Sequence, residues 1–236
     1  LVLSRGLGDV YKRQVLYRSN AQSRVIESAL LQFDIPYRVY GGQRFFERLE
    51  IKNALAYMRL ILNCHDDVAF ERVVNIPPRG IGERTADAVR EHARNISISM
   101  WSAAKAMIVD KNLNTRSANA LAAFLNLINE MTNTLEALPL SELAENSIEM
   151  SGLIEMHRRE KGERGQSRVE NLEELVGACK NFTPESIDTP VLAQFLDQVS
   201  LEAGERQANE DQDAVQLMTL HLSLIHISEP TRQNQI

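Results

Sequence analysis

The sequence predicts an α/β domain that is interrupted by a long, mostly helical insertion. Three observations support this fold class. A strand–helix–strand pattern occupies residues 15–40, helical periodicity then dominates to about residue 201, and a strand-like apolar run returns at 214–220. Since parallel α/β domains are built from β-α-β repeats, strands on both sides of a helical stretch indicate one domain divided along the sequence.

The first predicted elements form the β-α-β unit. Residues 15–17 are an apolar run of the kind that forms a buried strand, and a polar Arg-Ser-Asn stretch follows at 18–20. Residues 22–33 have helical spacing, with Val25, Ile26, Ala29, Leu30 and Phe33 expected on one side. Residues 37–40 alternate as in a second strand and end at a Gly-Gly pair.

From about residue 50 the chain is predicted to be almost wholly helical. The first of these segments is strongly amphipathic, and a loop is expected at 183–186 because of its proline and small polar residues. The predicted helices cover residues 51–62, 67–74, 85–94, 101–108, 117–135, 141–147, 153–161, 167–182 and 189–201.

The composition favours a local rather than a general positive surface. The 236 residues are 44% hydrophobic, which supports a real core, and the formal net charge is −6. Residues 15–60 hold seven Arg or Lys against four acids, whereas residues 185–213 hold eight acids against one Arg. We therefore expect contacts with nucleic acid in the first half of the chain.

The two cysteines indicate a reducing environment. Cys64 and Cys179 are far apart in the sequence and have no second potential ligand nearby, so they fit reduced thiols better than a disulfide or a zinc site. No apolar run reaches membrane-spanning length, and no segment has the layout of a signal peptide. We expect a soluble, cytoplasmic protein without a bound metal.

Residues 77–86, here called the hairpin segment, are the most informative stretch for function. Two prolines are expected to end the preceding helix, and Gly80 and Gly82 permit a tight turn. Ile81 is expected to fill the turn from inside. The free amides of the next helix would face outward, where the helix dipole favours a phosphate oxygen.

The hairpin segment resembles the helix-hairpin-helix DNA-binding motif, in which a small residue such as Ala86 lets the helices pack closely. A turn without a ligand is the alternative, because most Gly-x-Gly turns between helices bind nothing. Five arginines against three acids over residues 72–94 favour a phosphate contact. The predicted duplex contacts are Arg79, Gly80, Ile81, Gly82, Arg84 and Thr85.

Five motifs in order resemble the UvrD/Rep/PcrA group of superfamily 1 DNA helicases. They occupy residues 16–24, 40–48, 79–82, 168–175 and 217–221, so the resemblance covers roughly residues 15–221. It implies a motor of two RecA-like lobes, each with an inserted accessory subdomain, and the insertion of the second lobe contacts duplex DNA and regulates unwinding.

The resemblance divides the chain into segments. Residues 15–46 and 213–221 would be parts of the second RecA-like lobe, and residues 47–212 its helical accessory subdomain. The predicted fold is therefore a partial α/β RecA-like lobe with a large, mostly α-helical insertion that contains a helix-hairpin-helix-like motif. Residues 1–14 and 222–236 match neither the pattern nor the composition of their neighbours, and we interpret both as non-native flanks.

The resemblance also implies contacts to single-stranded DNA. Arg18 and Asn20 follow the first strand, at the edge where α/β domains place ligand contacts, and would bind phosphate and donate or accept hydrogen bonds, respectively. Thr219 and His221, at the end of the last strand, would face the same DNA strand. An ordinary surface cation is the alternative for Arg18, and His221 is supported only by the motif match.

Three other groups are interpreted mainly as structural. Phe45 and Phe46 are predicted to be core residues at a domain junction rather than stacking partners for bases. In residues 168–175 the glutamates are predicted to form a solvated or salt-bridged face, with Asn171 inward. Basic residues within 157–164 are a second, weaker candidate for duplex contact.

The motor chemistry is not predicted within this chain. Phosphoryl transfer needs a Gly-rich loop with Lys-Ser/Thr, a carboxylate for Mg²⁺ and an arginine at the transition state, and none of these signatures occurs in the sequence. The resemblance further implies that the motif at 217–221 should continue as Ser-Ala-Lys-Gly-Leu-Glu, which residues 222–225 replace.

The sequence thus predicts an internal fragment of an ATP-dependent 3′–5′ DNA helicase that acts in DNA repair or replication. The parent would use ATP and Mg²⁺, whereas this fragment would bind neither alone and would be inactive alone. Its partner would be DNA, as single strand and as duplex junction. A free-standing helical DNA-binding or adaptor module is the alternative, although it would not need half a sheet. A nuclease-helicase relative is a third reading.

Overall fold

The computed structural model describes residues 14–40, 42–135, 137–204 and 214–220. The chain divides into two compact units, one formed by the residues up to Arg48 together with those from Val199 onward, and the other by Leu49–Gln198. The predicted insertion, 47–212, is longer at both ends than this second unit. Below, the two are called the sheet unit and the helical unit.

The described residues of the sheet unit contain a three-stranded parallel sheet. Strands β1 (Gln14–Tyr17) and β2 (Tyr37–Val39) flank β3 (Val215–Thr219), and α1 (Ser23–Gln32) connects β1 to β2. The register aligns Tyr17 with Thr219 on one side of β3 and Val39 with Leu217 on the other. The predicted strands are confirmed, and the structure adds that the strand from the far end of the sequence lies between the first two.

A small apolar core joins α1 to this sheet. Tyr17, Tyr37, Val39 and Leu217 are buried, and Ile26, Leu30 and Leu31 pack against them. The predicted apolar face of the helix was partly wrong, because Val25 is 57% exposed and Phe33 72% exposed. The helix instead turns Ser23 and Glu27 inward, where both side chains form hydrogen bonds.

The helical unit follows the predicted segments closely, and most helices differ from their predicted bounds only by a few residues. Its helices are α2 (Leu49–Leu62), α3 (Asp67–Val73), α4 (Glu83–Asn95), α5 (Met100–Val109), α6 (Thr115–Thr132), α7 (Leu140–Ser151), α8 (Leu153–Arg158), α9 (Glu163–Asn181) and α10 (Val191–Gly204). The last turn of α10 belongs to the sheet unit.

Helix α2 is the centre of the helical unit. It packs against α3, α6, α7 and α9. Ile51 and Leu60 are both 0% exposed and Ala56 is 4% exposed, and helical geometry places Leu60 and Ala56 on the side of the helix opposite to Ile51. The helix is therefore buried almost all round rather than amphipathic as predicted, since neighbours surround it.

Polar side chains fix where several of these helices begin. Asp66 accepts a hydrogen bond from Ala69 N (2.9 Å) at the start of α3. Asn114 accepts one from Ser117 N (2.9 Å) at the start of α6. Such N-cap bonds satisfy amides that have no partner within the helix, and each contributes about 1 kcal/mol.

Further expectations concern membranes and metals. None of the helices in the described residues is both long and apolar enough to cross a bilayer. Within the same residues, no three His, Cys, Asp or Glu side chains are grouped so that they could hold a metal ion. Cys64 is partly exposed and Cys179 is buried, and the two do not form a disulfide bond.

Candidate nucleic-acid interface

The turn of the hairpin segment is organised by a residue that precedes it. The Oδ1 atom of Asn75 accepts hydrogen bonds from Arg79 N (2.8 Å) and Ile81 N (3.2 Å). Ile81 is 1% exposed, as predicted for a residue that fills the turn from inside. Helix α3 ends at Val73, so the prolines lie within the connection rather than at the end of the helix. Sequence reasoning missed Asn75, although Asn is a common organiser of turns.

The two glycines of the turn differ in what the fold requires of them. Gly80 has φ of 81°, a left-handed conformation that favours glycine. Gly82 has φ of −72° and ψ of 162°, which any residue can adopt, and it is the N-cap of α4. A Cβ at either position would meet no described atom within 4 Å. The fold therefore explains glycine at position 80 but not at position 82.

The start of α4 presents unpaired amides to solvent. Thr85 N and Ala86 N bond back to Gly82 O at 2.9 and 3.2 Å. The amides of Glu83 and Arg84 have no hydrogen-bond acceptor among the described residues, and both residues are exposed. This terminus carries a partial positive charge, to which Arg84 adds and from which Glu83 subtracts.

Arg79 points into the helical unit rather than to solvent. Its guanidinium donates hydrogen bonds to Pro77 O (3.0 Å) and Ser151 O (2.8 Å). It also lies over the rings of Tyr57 (5.7 Å to the ring centre) and Phe124 (5.6 Å). The structure thus places Arg79 as a link from the hairpin segment to α2, α6 and α7.

Tyr57, on α2, also holds the connection between α3 and α4. Its hydroxyl donates a hydrogen bond to Ile76 O at 2.6 Å. Burial raises the pKa of Tyr57 to about 12 despite the opposing effect of Arg79, so the phenol stays protonated as a donor near neutral pH. Two side chains of the helical core therefore hold the backbone that leads into the turn.

Thr85 is also engaged within the fold. Its Oγ1 lies 3.1 Å from Ser117 Oγ, which joins the start of α4 to the start of α6.

Helix α4 packs mainly on α5, and α3 packs mainly on α2 and α5. The close pairing of α3 with α4 that a helix-hairpin-helix motif would show is not among the main helix contacts of the described residues, so this motif is not confirmed.

Other basic residues in and near the candidate interface form ion pairs with acidic side chains. Arg90 pairs with Asp87 and Glu71 on the surface. In the weaker candidate at 157–164, His157 is 1% exposed and Arg159 is paired with Glu155 at 2.9 Å. His157 was misplaced by the sequence interpretation, because it lies inside the unit with its Nδ1 2.7 Å from Glu160 Oε1.

The carboxyl edge of the sheet brings the other predicted residues together. Tyr17 and Thr219 are partners in the parallel register, so Arg18 follows β1 next to the end of β3. Arg18 and Asn20 are exposed, and Thr219 is half-buried. His221 lies outside the described residues. Gln22, missed in the sequence, accepts hydrogen bonds from Arg18 N (3.0 Å) and Ser19 N (3.3 Å) and so shapes this loop.

Several known proteins are similar in sequence to most of this chain. DNA helicase II of Escherichia coli (strain K12) is 54% identical over 209 residues, which are 88% of this chain and 29% of that protein. DNA helicase II of Haemophilus influenzae is 51% identical over the same shares. ATP-dependent DNA helicase PcrA of Bacillus subtilis (strain 168) is 37% identical over 92% of this chain and 30% of that protein. The chain therefore spans less than a third of the length of these relatives.

A family model agrees with these matches and with the predicted resemblance. The model described as the UvrD-like helicase C-terminal domain matches residues 6–223. This range begins within the segment 1–14 and ends within the segment 222–236 that were interpreted as non-native flanks. Because the match covers most of the sequence, the chain belongs to the UvrD-like helicase C-terminal domain family.

Proposed function

We propose that this chain is part of an ATP-dependent DNA helicase that moves 3′ to 5′ on single strands and acts in DNA repair or replication. The observation that carries this proposal is the 54% identity to a protein named DNA helicase II across 88% of the chain. In this proposal the sheet unit is part of the second RecA-like lobe, and the helical unit is its accessory subdomain. The parallel sheet with its β-α-β connection supports the first assignment.

The single-strand contacts would lie at the carboxyl edge of the sheet. Arg18 would bind a phosphate and Asn20 would form hydrogen bonds, with Thr219 and His221 beside them. The exposure of Arg18 and Asn20 and the register of Tyr17 with Thr219 support this arrangement. Parallel α/β domains place ligands at this edge because the strand ends and the following loops converge there.

The duplex contact would lie at the start of α4. The amides of Glu83 and Arg84 and the Arg84 guanidinium would bind backbone phosphate, and Gly82 would let that backbone approach closely. Gly80, Ile81, Arg79 and Thr85 would hold the turn in place. Phosphate contacts of this kind fix position without reading sequence. Glycine at position 82, which the fold itself does not require, supports a close approach from outside.

The parent protein would use ATP and Mg²⁺, which together supply the phosphoryl transfer that powers movement. We assign neither group to residues of this chain. The sequence contains no Gly-rich loop followed by Lys-Ser/Thr. The described residues also contain no grouped carboxylates fit for a metal. In this proposal the chain contributes contacts to DNA rather than motor chemistry.

Salt-dependent duplex binding tests the hairpin assignment. Arg84→Ala should weaken binding of a labelled duplex and lower the slope of log K against log salt by about 1, since one phosphate contact is lost. Arg94→Ala is the matched control, because Arg94 is exposed in the last turn of the same helix. Equal slopes for the two variants would show that the Arg84 guanidinium does not bind phosphate.

A further inference from the structure

Arg48 is a buried arginine at the end of the motif at 40–48, and it has no predicted contact with DNA. It is 7% exposed and lies immediately before Leu49, where α2 begins. A guanidinium carries five N–H donors and never loses its charge in proteins, so burying it costs free energy unless its donors find acceptors. Its partners therefore indicate what this side chain holds together.

Two partners of Arg48 lie in residues 18–23, which lead from β1 to the first residue of α1. Its Nη1 donates to Asn20 O (2.7 Å) and its Nη2 to Ser23 Oγ (2.7 Å). Its Nε donates to Gln43 O (3.3 Å), and the guanidinium lies over the Phe45 ring, 5.3 Å from the ring centre. The two Nη atoms of the guanidinium thus bind residues 18–23, and its Nε atom binds the segment that precedes Arg48 in the sequence.

The loop of residues 18–23 is consequently fixed from two sides. Gln22 holds the backbone at Arg18 and Ser19 by accepting their amide hydrogens. Arg48 holds the backbone at Asn20 and the side chain of Ser23. The side chains of Arg18 and Asn20 remain exposed while the backbone that carries them is restrained. This arrangement is suited to presenting two side chains in a fixed geometry.

The segment that carries Arg48 is itself anchored. Phe45 N donates to Glu27 Oε2 at 3.1 Å, which ties the segment to α1. Arg44 donates to Ala203 O at 2.8 Å and pairs with Glu47 at 3.1 Å. Residues 42–48, through which the chain enters the helical unit, are therefore bound to the last turn of α10, through which it leaves.

We propose that Arg48 is a positioning residue for single-strand binding, which couples the conformation of the 18–23 loop to the path of residues 42–48. Arg48 does not touch DNA in this arrangement. It sets the backbone under Arg18 and Asn20, so a change in the segment that leads into the helical unit alters affinity for single strands. The inference rests on the proposed single-strand contact by Arg18 and Asn20.

The test compares variants of the whole 236-residue chain in binding a fluorescein-labelled oligo(dT) at several salt concentrations. Arg48→Met should weaken binding about tenfold, because the backbone of residues 18–23 is no longer held in place. The salt slope should not change, because no phosphate contact is removed. Arg48→Lys, which keeps the charge and one hydrogen bond, should fall between Met and the native residue. Arg18→Ala should lower the slope by about 0.7, the share of one phosphate on a single strand. Arg72→Ala, an exposed arginine on α3, is the control.

Hydrogen exchange separates positioning from a general structural role. In Arg48→Met, the amides of residues 18–23 should exchange faster while those of β1 and α2 keep their protection. Faster exchange throughout the chain, native affinity, or a slope lowered as in Arg18→Ala would each overturn the proposal. If Arg18→Ala itself binds as the native chain does, the proposed single-strand contact fails instead.

Discussion

Gly165 occupies a place in α9 where no larger residue fits. A Cβ on this residue would lie 2.5 Å from His157 O and 2.7 Å from Glu160 O. Both are backbone atoms, at the end of α8 and in the turn that follows, so neither can move aside by a side-chain rotation. We predict that Gly165→Ala destabilises the helical unit, although alanine is the better helix former.

The size of the effect follows from two opposing contributions. Replacing glycine by alanine inside a helix gains about 1 kcal/mol. Overpacking that forces backbone to shift costs typically about 1–3 kcal/mol, and two backbone contacts this short place Gly165→Ala at or above the upper end. The net loss should be about 2 kcal/mol, which lowers the melting temperature by roughly 4–8 °C for a unit of this size.

The same helix supplies the control. At Gly177 a Cβ would meet only Glu174 Oε2, at 3.9 Å, which is an ordinary contact with a flexible side chain. Gly177→Ala should therefore stabilise the unit by about 0.5–1 kcal/mol. The two substitutions are chemically identical, so opposite signs can arise only from what surrounds each residue.

Urea unfolding followed by tryptophan fluorescence measures both variants. The chain has a single tryptophan, Trp101, which is 2% exposed in the helical unit and so reports on the unfolding of that unit. A midpoint for Gly165→Ala equal to or above that of the native chain would refute the reasoning. So would a shift of the same sign in both variants.

Further predictions concern the polar network and the motor. Asn171 is 3% exposed and donates to Glu50 Oε1 at 2.6 Å, so Asn171→Ala should destabilise the helical unit by about 2 kcal/mol in urea unfolding, because a buried carboxylate loses a partner. Partial burial alone would raise the pKa of Glu160, but hydrogen bonds from His157 and Arg168 outweigh it and hold that pKa below its ordinary 4.5. This stabilisation is therefore present above pH 4.5 and is lost as the pH falls through the lowered pKa. In Glu160→Gln, the urea concentration at the unfolding midpoint should therefore fall less steeply as the pH is lowered through the acid range. The purified chain should show no DNA-stimulated ATP hydrolysis in a phosphate-release assay, and measurable hydrolysis would contradict the assignment of the motor chemistry to other parts of the parent protein.

Local patterns predicted the secondary structure well, because each element is set by periodicity and by breakers within its own segment. The helix at 23–32 and the strands at 14–17 and 215–219 could be located in this way. Their order in the sheet could not, since nothing local in a short apolar strand specifies which strand lies beside it. The burial of α2 on nearly all sides was also missed, because its neighbours come from distant parts of the sequence.

The candidate site was predictable in part for the same reason. The proximity of Arg18 to Thr219 follows from the rule that parallel strands end at one edge. The direction of Arg79 does not follow from any pattern, because a charge count treats each arginine as a surface cation. Its planar guanidinium can instead be satisfied inside by carbonyl oxygens and ring faces. Asn75 and Arg48 act through backbone atoms of other segments, which a sequence motif does not show.

The position of β3 between β1 and β2 has a consequence for how the protein is made. Within the described residues β1 and β2 each pair with β3 and not with each other, so this pairing can form only after the ribosome has added residues that follow the whole of Leu49–Gln198. The helical unit has its own core and can fold while the later residues are still being synthesised. We therefore expect the described part of the sheet to be completed after the helical unit has folded, although two of its three strands are synthesised before that unit.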